Sequence, residues 1–146
     1  MKSEPDEFSF AQLRERGTEP WTGVRNYQAR NFLREAAVGD LVLFYHSNCA
    51  DPGIAGVARI SKAAFVDPTQ FDAKSDYYDP KSRREDPRWS CVEVAYHQAF
   101  RRHVTLPDLR GCAALADMLI LRPGNRLSVT PVTAAEFKAI AALGQK

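Results

Sequence analysis

The order of apolar periodicities along the chain is the strongest constraint on its fold. Helix-like spacing appears first, at residues 10–16 and 27–37, and two strand-like runs follow at 41–45 and 54–60. A third strand-like run opens at Trp89, and a helix-like segment closes the chain. Strands and helices do not alternate regularly, which favours a small β-barrel with helices at its ends over a doubly wound sheet. The expected class is therefore α+β.

Capping signals mark the ends of the predicted helices. A capping box at Ser9, with Gly17 as a stop, predicts a helix over about residues 10–16. A second box at Thr133 predicts the C-terminal helix. Between the first two helices, the segment from Thr18 to Gly23 is expected to be a loop because it contains a proline and polar residues.

One long polar segment interrupts the strand-like runs. Residues 67–88 are dense in Asp, Lys, Arg and Pro, and three aromatic residues, Phe71, Tyr77 and Tyr78, lie within them. A chain of 146 residues is about the length of one domain. We therefore expect a single domain spanning 1–146, with 67–88 as a long surface excursion.

Charge and cysteine content narrow the functional classes. Twenty basic and eighteen acidic residues give a formal net charge of +2, so contacts with nucleic acid would have to come from local clusters. Cys49, Cys91 and Cys112 are far apart, and no CxxC or HxxxH spacing is present, so we expect neither a metal nor a cofactor. The chain has no apolar leader and no membrane-length apolar run. These features predict a soluble, reduced, cytoplasmic monomer.

The start of the second predicted helix combines groups that suit a nucleobase. Asn26 can cap the helix, and Tyr27 beside it offers a flat aromatic surface. Arg25 and Arg30 supply guanidinium donors at a helix terminus that also favours anions. The alternative interpretation is structural: such residues also serve as caps, core aromatics and solvated arginines.

Seven motifs occur in order along nearly the whole chain: KSEP (2–5), W-x-GVRNYQARNFLR (21–34), FYHSN (44–48), PGIAG (52–56), DPKS (79–82), PRWS (87–90) and RLSV (126–129). Together they resemble the EVE domain of the PUA-like superfamily and are similar to the thymocyte nuclear protein family. The resemblance implies a small, partly open β-barrel of about five to six strands flanked by short helices. Relatives carry further residues before KSEP that form the first barrel strand. Either this strand is shortened here, or the start codon was placed late.

The resemblance further implies a non-enzymatic reader that binds DNA or RNA through a modified base. The residues that it assigns to the base pocket are Trp21, Asn26, Tyr27, Gln28, Tyr45, His46, Ser47, Asn48, Gly56, Trp89 and Ser128. Those expected at the pocket rim or on phosphates are Lys2, Ser3, Glu4, Arg25, Arg30 and Arg126. So few cations predict a salt dependence equivalent to roughly two to four phosphates.

Two other functions stay open. Some PUA-like relatives are amidohydrolases that use a lysine and a carboxylate, for which Lys2 and Glu4 are the counterparts in this chain. An aromatic cleft can also take a peptide. His46 and Ser47 invite a hydrolase interpretation, but no nucleophile elbow accompanies them. No catalytic residue is therefore assigned.

Overall fold

A single five-stranded sheet forms the centre of the protein; the computed structural model describes residues 1–146. The strands are β1 (Lys2–Ser3), β2 (Thr18–Pro20), β3 (Leu41–His46), β4 (Gly53–Val66) and β5 (Ser90–Thr105). Their order is β1-β3-β4-β5-β2, with β1 parallel to β3 and all other pairs antiparallel. Because the sheet is not closed, it forms a partial barrel with β1 and β2 as its edges. The α+β class and the partly open barrel are confirmed.

Four α-helices flank the sheet: α1 (Phe10–Arg16), α2 (Tyr27–Glu35), α3 (Leu106–Arg110) and α4 (Ala134–Gly144). Both predicted capping boxes are present, at Ser9 and at Thr133. Helix α2 ends two residues earlier than predicted because the Asp40 carboxylate accepts the Ala37 N–H and turns the chain. Short 3-10 turns occupy Pro68–Phe71, Ala113–Leu115 and Leu119–Leu121.

The expectation of a loop at Thr18 to Gly23 is wrong for its first part. Thr18–Pro20 pairs with β5, opposite Ala95 to Glu93. Proline is tolerated there because the strand lies at the edge of the sheet, where a missing N–H breaks no ladder on the outer side. A proline therefore did not exclude a strand at this position.

Strands β4 and β5 are both longer than their apolar runs indicated. They pair from Gly53 with Thr105 to Val66 with Ser90, and the register shifts four times along the way. Each shift is a bulge or irregularity that bends the strands and interrupts the alternation of apolar and polar residues. The sequence pattern consequently marked only part of each strand.

Both faces of the sheet are buried, and β3 shows this most clearly. Val42 and Phe44 belong to a core shared with α1 and α2, whereas Leu43 and Tyr45 belong to a second core shared with α3 and α4. A strand buried on both faces reads as a continuous apolar run, as residues 41–45 do. Because two cores hold the sheet from both sides, its edges provide a firm base for a site.

Segment 67–88 is fixed to the sheet by a buried polar network. The fully buried Gln70 amide donates to the carbonyls of Asp67 and Trp89, and its oxygen accepts from the Ser82 hydroxyl and the Trp89 N–H. All the hydrogen-bonding groups of this side chain are thus engaged. The segment lacks long regular elements, but it is a defined part of the fold.

Candidate functional site

A cleft of about 960 Å³ lies where the barrel stays open. Both edge strands line it, with Lys2 and Ser3 of β1 on one side and Glu19 and Pro20 of β2 on the other. Its volume is within the range of small-ligand pockets in proteins. The open edge of the barrel is therefore the main candidate site.

Aromatic side chains form the base of the cleft. Phe8 and Trp21 meet edge to face, with ring centroids 6.3 Å apart, and Trp21 also packs edge-on against Phe44 of the core. Trp21 is 9% exposed, so it offers a ligand only a small part of its surface. Arg16 lies over the Phe8 ring and forms an ion pair with Glu19. The aromatic floor of the cleft is thus a rigid extension of the core.

A carboxylate and an amide stand together at one end of the cleft. Asn48 adopts a left-handed backbone conformation (φ 51°), which asparagine tolerates better than most residues. Its Nδ2 donates to Glu4 Oε1 at 3.0 Å. This bond leaves the second oxygen of Glu4 and the amide oxygen of Asn48 available as acceptors.

Positive groups also belong to the cleft lining. The Lys2 N–H donates to the Ser128 carbonyl, which brings residues 126–128 beside β1. Burial lowers the pKa of the Lys2 amine, and no carboxylate lies within ion-pair distance of it. Arg126 is exposed at the rim. The cleft lining therefore contains both acceptors and donors.

Tyr77 brings segment 67–88 to the cleft. Its ring lies against Gly23, where a Cβ atom would come within 2.7 Å of the ring carbons. Gly23 also has a φ of +88°, which favours glycine. Both features explain the glycine, and they fix the side of the cleft formed by residues 22–24.

The predicted residues at the start of α2 build a cation–aromatic stack instead of lining the cleft. The stack consists of Arg30, Tyr27, Trp89, Arg25 and Tyr77. Tyr27 and Trp89 are stacked with centroids 4.8 Å apart, and the guanidinium carbon of Arg30 lies 4.7 Å from the Tyr27 centroid. Arg25 lies between Trp89 and Tyr77, at 5.5 and 5.7 Å from their centroids. The stack connects α2 to the residue that lines the cleft.

Arg25 makes four hydrogen bonds within the fold. Its Nε donates to the Tyr77 carbonyl, its Nη1 to the Val24 carbonyl and to Asp67, and its Nη2 to the Thr69 hydroxyl. Most of its five donors are thereby engaged. The expected phosphate contact would require Arg25 to leave these partners.

Three other residues predicted for the pocket have roles in the fold. Asn26 caps α2 by accepting the Ala29 N–H, which confirms the predicted cap. Tyr45 is buried in the second core. Gly56 lies beneath Phe10, since a Cβ there would approach the Phe10 ring to 2.5 Å.

The structure thus divides the predicted residues into two groups. Those that line the cleft are Lys2, Ser3, Glu4, Trp21, Ser47, Asn48, Arg126 and Ser128. Those that lie outside it are Arg25, Asn26, Tyr27, Gln28, Arg30, Tyr45, His46, Gly56 and Trp89. Cleft residues that the sequence did not reveal include Phe8, Arg16 and Tyr77. Only Tyr77 carried a signal, as an aromatic residue in a long polar segment.

His46 links the cleft region to α1 through a pH-sensitive contact. The Phe10 N–H donates to His46 Nε2 at 3.1 Å, which requires that nitrogen to be unprotonated. Burial, and then the nearby His103, lower the pKa of His46.

Stability should therefore fall with acidification. As the pH falls, the histidine of the unfolded chain, with a pKa of about 6.5, binds a proton before that of the folded protein. The contribution of His46 is therefore complete above that pH and is lost as the pH falls through the lower folded value. Urea unfolding between about pH 7.5 and about pH 5 should show a slope of at most ~1.4 kcal/mol per pH unit from this group. His46→Gln, whose amide oxygen can accept the same N–H, should flatten this slope; an unchanged slope would assign the effect elsewhere.

Two broader properties bear on the site. No group of three His, Cys, Asp or Glu side chains in the structure is arranged to hold a metal ion. None of the helices combines the length and apolar character needed to span a bilayer.

Comparison with known proteins identifies a family and several relatives that share this architecture. The profile of the family described as the EVE domain matches residues 1–143. Thymocyte nuclear protein 1 of Danio rerio is 42% identical over 162 residues, which cover 98% of this chain and 70% of that protein. A crystal structure of a Pseudomonas putida protein is 50% identical, with a TM-score of 0.96 over 99% of this chain and 97% of that one.

One similar structure contains nucleic acid. The crystal structure of human THYN1 protein in complex with DNA containing 5-methylcytosine has a TM-score of 0.94 to this chain and is 39% identical. The match covers 100% of this chain and 96% of the human one. With the family profile spanning the chain and relatives near 40% identity, this protein belongs to the EVE domain family.

Proposed function

We propose that this protein is a non-enzymatic reader of DNA that takes a modified cytosine into the cleft at the open edge of the barrel. The observation that carries the proposal is a cleft with hydrogen-bond donors and acceptors in its lining and aromatic side chains at its floor. The same fold occurs in a human protein solved in complex with 5-methylcytosine DNA. The base pocket is assigned to Glu4, Asn48, Lys2, Trp21, Ser47 and Ser128. Arg126 is assigned to the phosphates.

The acceptors and donors of the cleft suit the two kinds of polar group on a cytosine edge. The exocyclic amine of cytosine donates, and carboxylates accept from it in known protein–DNA contacts. Glu4, oriented by Asn48, is the acceptor in the cleft. Lys2 can donate to the acceptor atoms on the same edge of the base.

Such a base must leave the duplex, because its edge is otherwise paired. Extrusion costs a few kcal/mol. Stacking on an aromatic ring returns roughly 1 to 3 kcal/mol per base, and hydrogen bonds to charged groups about 1.5 to 3 kcal/mol. Contacts of these two kinds are sufficient to offset extrusion without a strongly cationic surface, in keeping with the net charge of +2.

Binding without catalysis is the function we favour over nucleobase hydrolysis. Lys2 and Glu4 do share the cleft, as the amidohydrolase alternative requires. However, a human protein with the same fold was solved in complex with 5-methylcytosine DNA, which supports binding. Incubation with modified nucleosides and mass spectrometry separates the two functions, since turnover that disappears in Lys2→Ala would contradict a reader.

Fluorescence anisotropy with paired oligonucleotides tests the proposal. DNA and RNA, each single- and double-stranded, carry either one 5-methylcytosine or cytosine at the same position. We expect tighter binding to the methylated DNA. Equal affinity for both bases would remove the claim of modification reading, and preference for RNA would change the target.

The salt dependence of binding tests the assignment of Arg126. Arg126→Ala should weaken binding to methylated and unmethylated DNA alike and reduce the slope of log affinity against log salt by about 1. Arg59→Ala, an exposed arginine on β4 outside the cleft, is the matched control and should leave the slope unchanged. An unchanged slope in Arg126→Ala would place the phosphate contact elsewhere.

The proposal extends to the state in which the protein acts. Action as a monomer stays a prediction. A cytoplasmic location, and activity without a metal or cofactor, stay predictions.

A further inference from the structure

We infer that Tyr77 is the stacking surface for the bound base and that Arg25 positions it, so that segment 67–88 determines base discrimination. The inference rests on the proposed function and deepens it. It concerns a residue that the sequence did not assign to the pocket and an arginine whose expected role was phosphate binding.

The position of Tyr77 is the first observation. It is the residue through which segment 67–88 reaches the cleft, and it is 38% exposed. Gly23 lies against its ring, where a side chain would not fit. A large, partly exposed aromatic residue in the lining of a concave site is typical of a ligand contact.

The support behind Tyr77 is the second observation. Arg25 donates to the Tyr77 carbonyl at 3.0 Å, and its guanidinium lies over the Tyr77 ring, 5.7 Å from the centroid. Arg25 is itself held by Asp67 and Thr69. A contact residue whose backbone and ring are both fixed loses little entropy when a base stacks on it. In this arrangement Arg25 is a positioning residue.

The hydroxyl of Tyr77 is the third observation. Burial, and then the carboxylates of Glu7, Asp76 and Glu4, raise the pKa of this phenol. Tyr77 and Glu4 both line the cleft, so the ring and the proposed acceptor of the base amine belong to one site.

The neighbouring residue provides a matched control. Tyr78 is of the same type and 43% exposed, but it does not line the cleft. A general effect of removing an exposed aromatic from segment 67–88 would appear equally in both positions. An effect of stacking would appear only at Tyr77.

The experiment compares Tyr77→Leu, Tyr77→Phe, Tyr78→Leu and Arg25→Lys with the wild type. Affinities for 5-methylcytosine and cytosine DNA are measured at two salt concentrations, together with thermal unfolding. Tyr77→Leu should lose about 5- to 150-fold in affinity for methylated DNA, the equivalent of one lost stacking contact. Its salt slope should be unchanged. Tyr77→Phe and Tyr78→Leu should bind within about threefold of the wild type.

Arg25→Lys tests positioning, because lysine keeps the charge but lacks the planar fork that engages several acceptors. It should reduce the ratio of the two affinities while the salt slope stays that of the wild type. A reduced slope would restore Arg25 as a phosphate contact.

Three outcomes would overturn the inference. The first is wild-type affinity and preference for methylated DNA in Tyr77→Leu. The second is a loss of affinity in Tyr77→Phe as large as that in Tyr77→Leu. The third is a collapse of thermal stability that accompanies the loss of affinity in Tyr77→Leu. In each case the wild type still distinguishes the two DNAs. If the wild type itself does not distinguish them, the failure is that of the proposed function.

Discussion

Replacing Asp67 with Ala is expected to lower the free energy of unfolding by about 3 kcal/mol, the lower end for breaking a buried ion pair. The Asp67 carboxylate is fully buried and accepts from the Gly23 N–H, the Arg25 guanidinium, and the N–H and hydroxyl of Thr69. Its removal leaves Arg25 without a counter-ion. We take the lower end because the Arg25 side chain is 21% exposed and can be partly hydrated. Such a loss is a large part of the stability of an ordinary domain.

Urea unfolding followed by circular dichroism measures this effect. Asp76→Ala is the control: it removes an exposed carboxylate from the same segment and should change stability by less than about 0.5 kcal/mol. If Asp67→Ala proves as stable as the control, the network between segment 67–88 and Gly23 is not a major source of stability.

Glu4→Gln is expected to reduce affinity for methylated DNA by about 10- to 150-fold, the equivalent of about 1.5 to 3 kcal/mol for a hydrogen bond to a charged acceptor. The change removes the negative charge and keeps the size of the side chain. The glutamine oxygen can still accept from Asn48, so the fold of this end of the cleft should survive. Thermal unfolding close to that of the wild type would verify this.

The direction of the Glu4 effect distinguishes base reading from electrostatics. If binding depends only on phosphates, removal of a negative charge should strengthen it. If Glu4 accepts from the base, loss of that acceptor should weaken binding. Glu15→Gln, on the exposed side of α1 and outside the cleft, provides the comparison. Tighter binding by Glu4→Gln than by Glu15→Gln would exclude Glu4 as the base acceptor.

The sequence predicted those parts of the fold that depend on neighbouring residues. The capping boxes at Ser9 and Thr133 located two helices, because their hydrogen bonds join residues only three positions apart. The edge strand at Thr18–Pro20 was missed because its pairing depends on β5, more than seventy positions along the chain. Local composition carried no information about that partner.

The site divides in the same way. Lys2, Ser3 and Glu4 could be placed through the KSEP motif, and the structure brings them to the cleft. The residues around Arg25 looked like a base site because they combine arginine with aromatics. However, the hydrogen-bonding partners that occupy Arg25 lie 42 to 52 residues further along the chain, apart from the adjacent Val24 carbonyl. The same chemistry that suits a ligand here serves the protein itself.

The cation–aromatic stack separates the surroundings of the two tryptophans, which makes them distinct optical reporters. Trp89 is stacked between Tyr27 and Arg25, and its indole N–H donates to Asp79 of segment 67–88. Trp21, the other tryptophan of the chain, lies in the first core at the base of the cleft. Their emission spectra should therefore respond to different events, Trp89 to detachment of segment 67–88 and Trp21 to disruption of the barrel. The protein needs no added label to show whether the segment can open while the barrel stays folded.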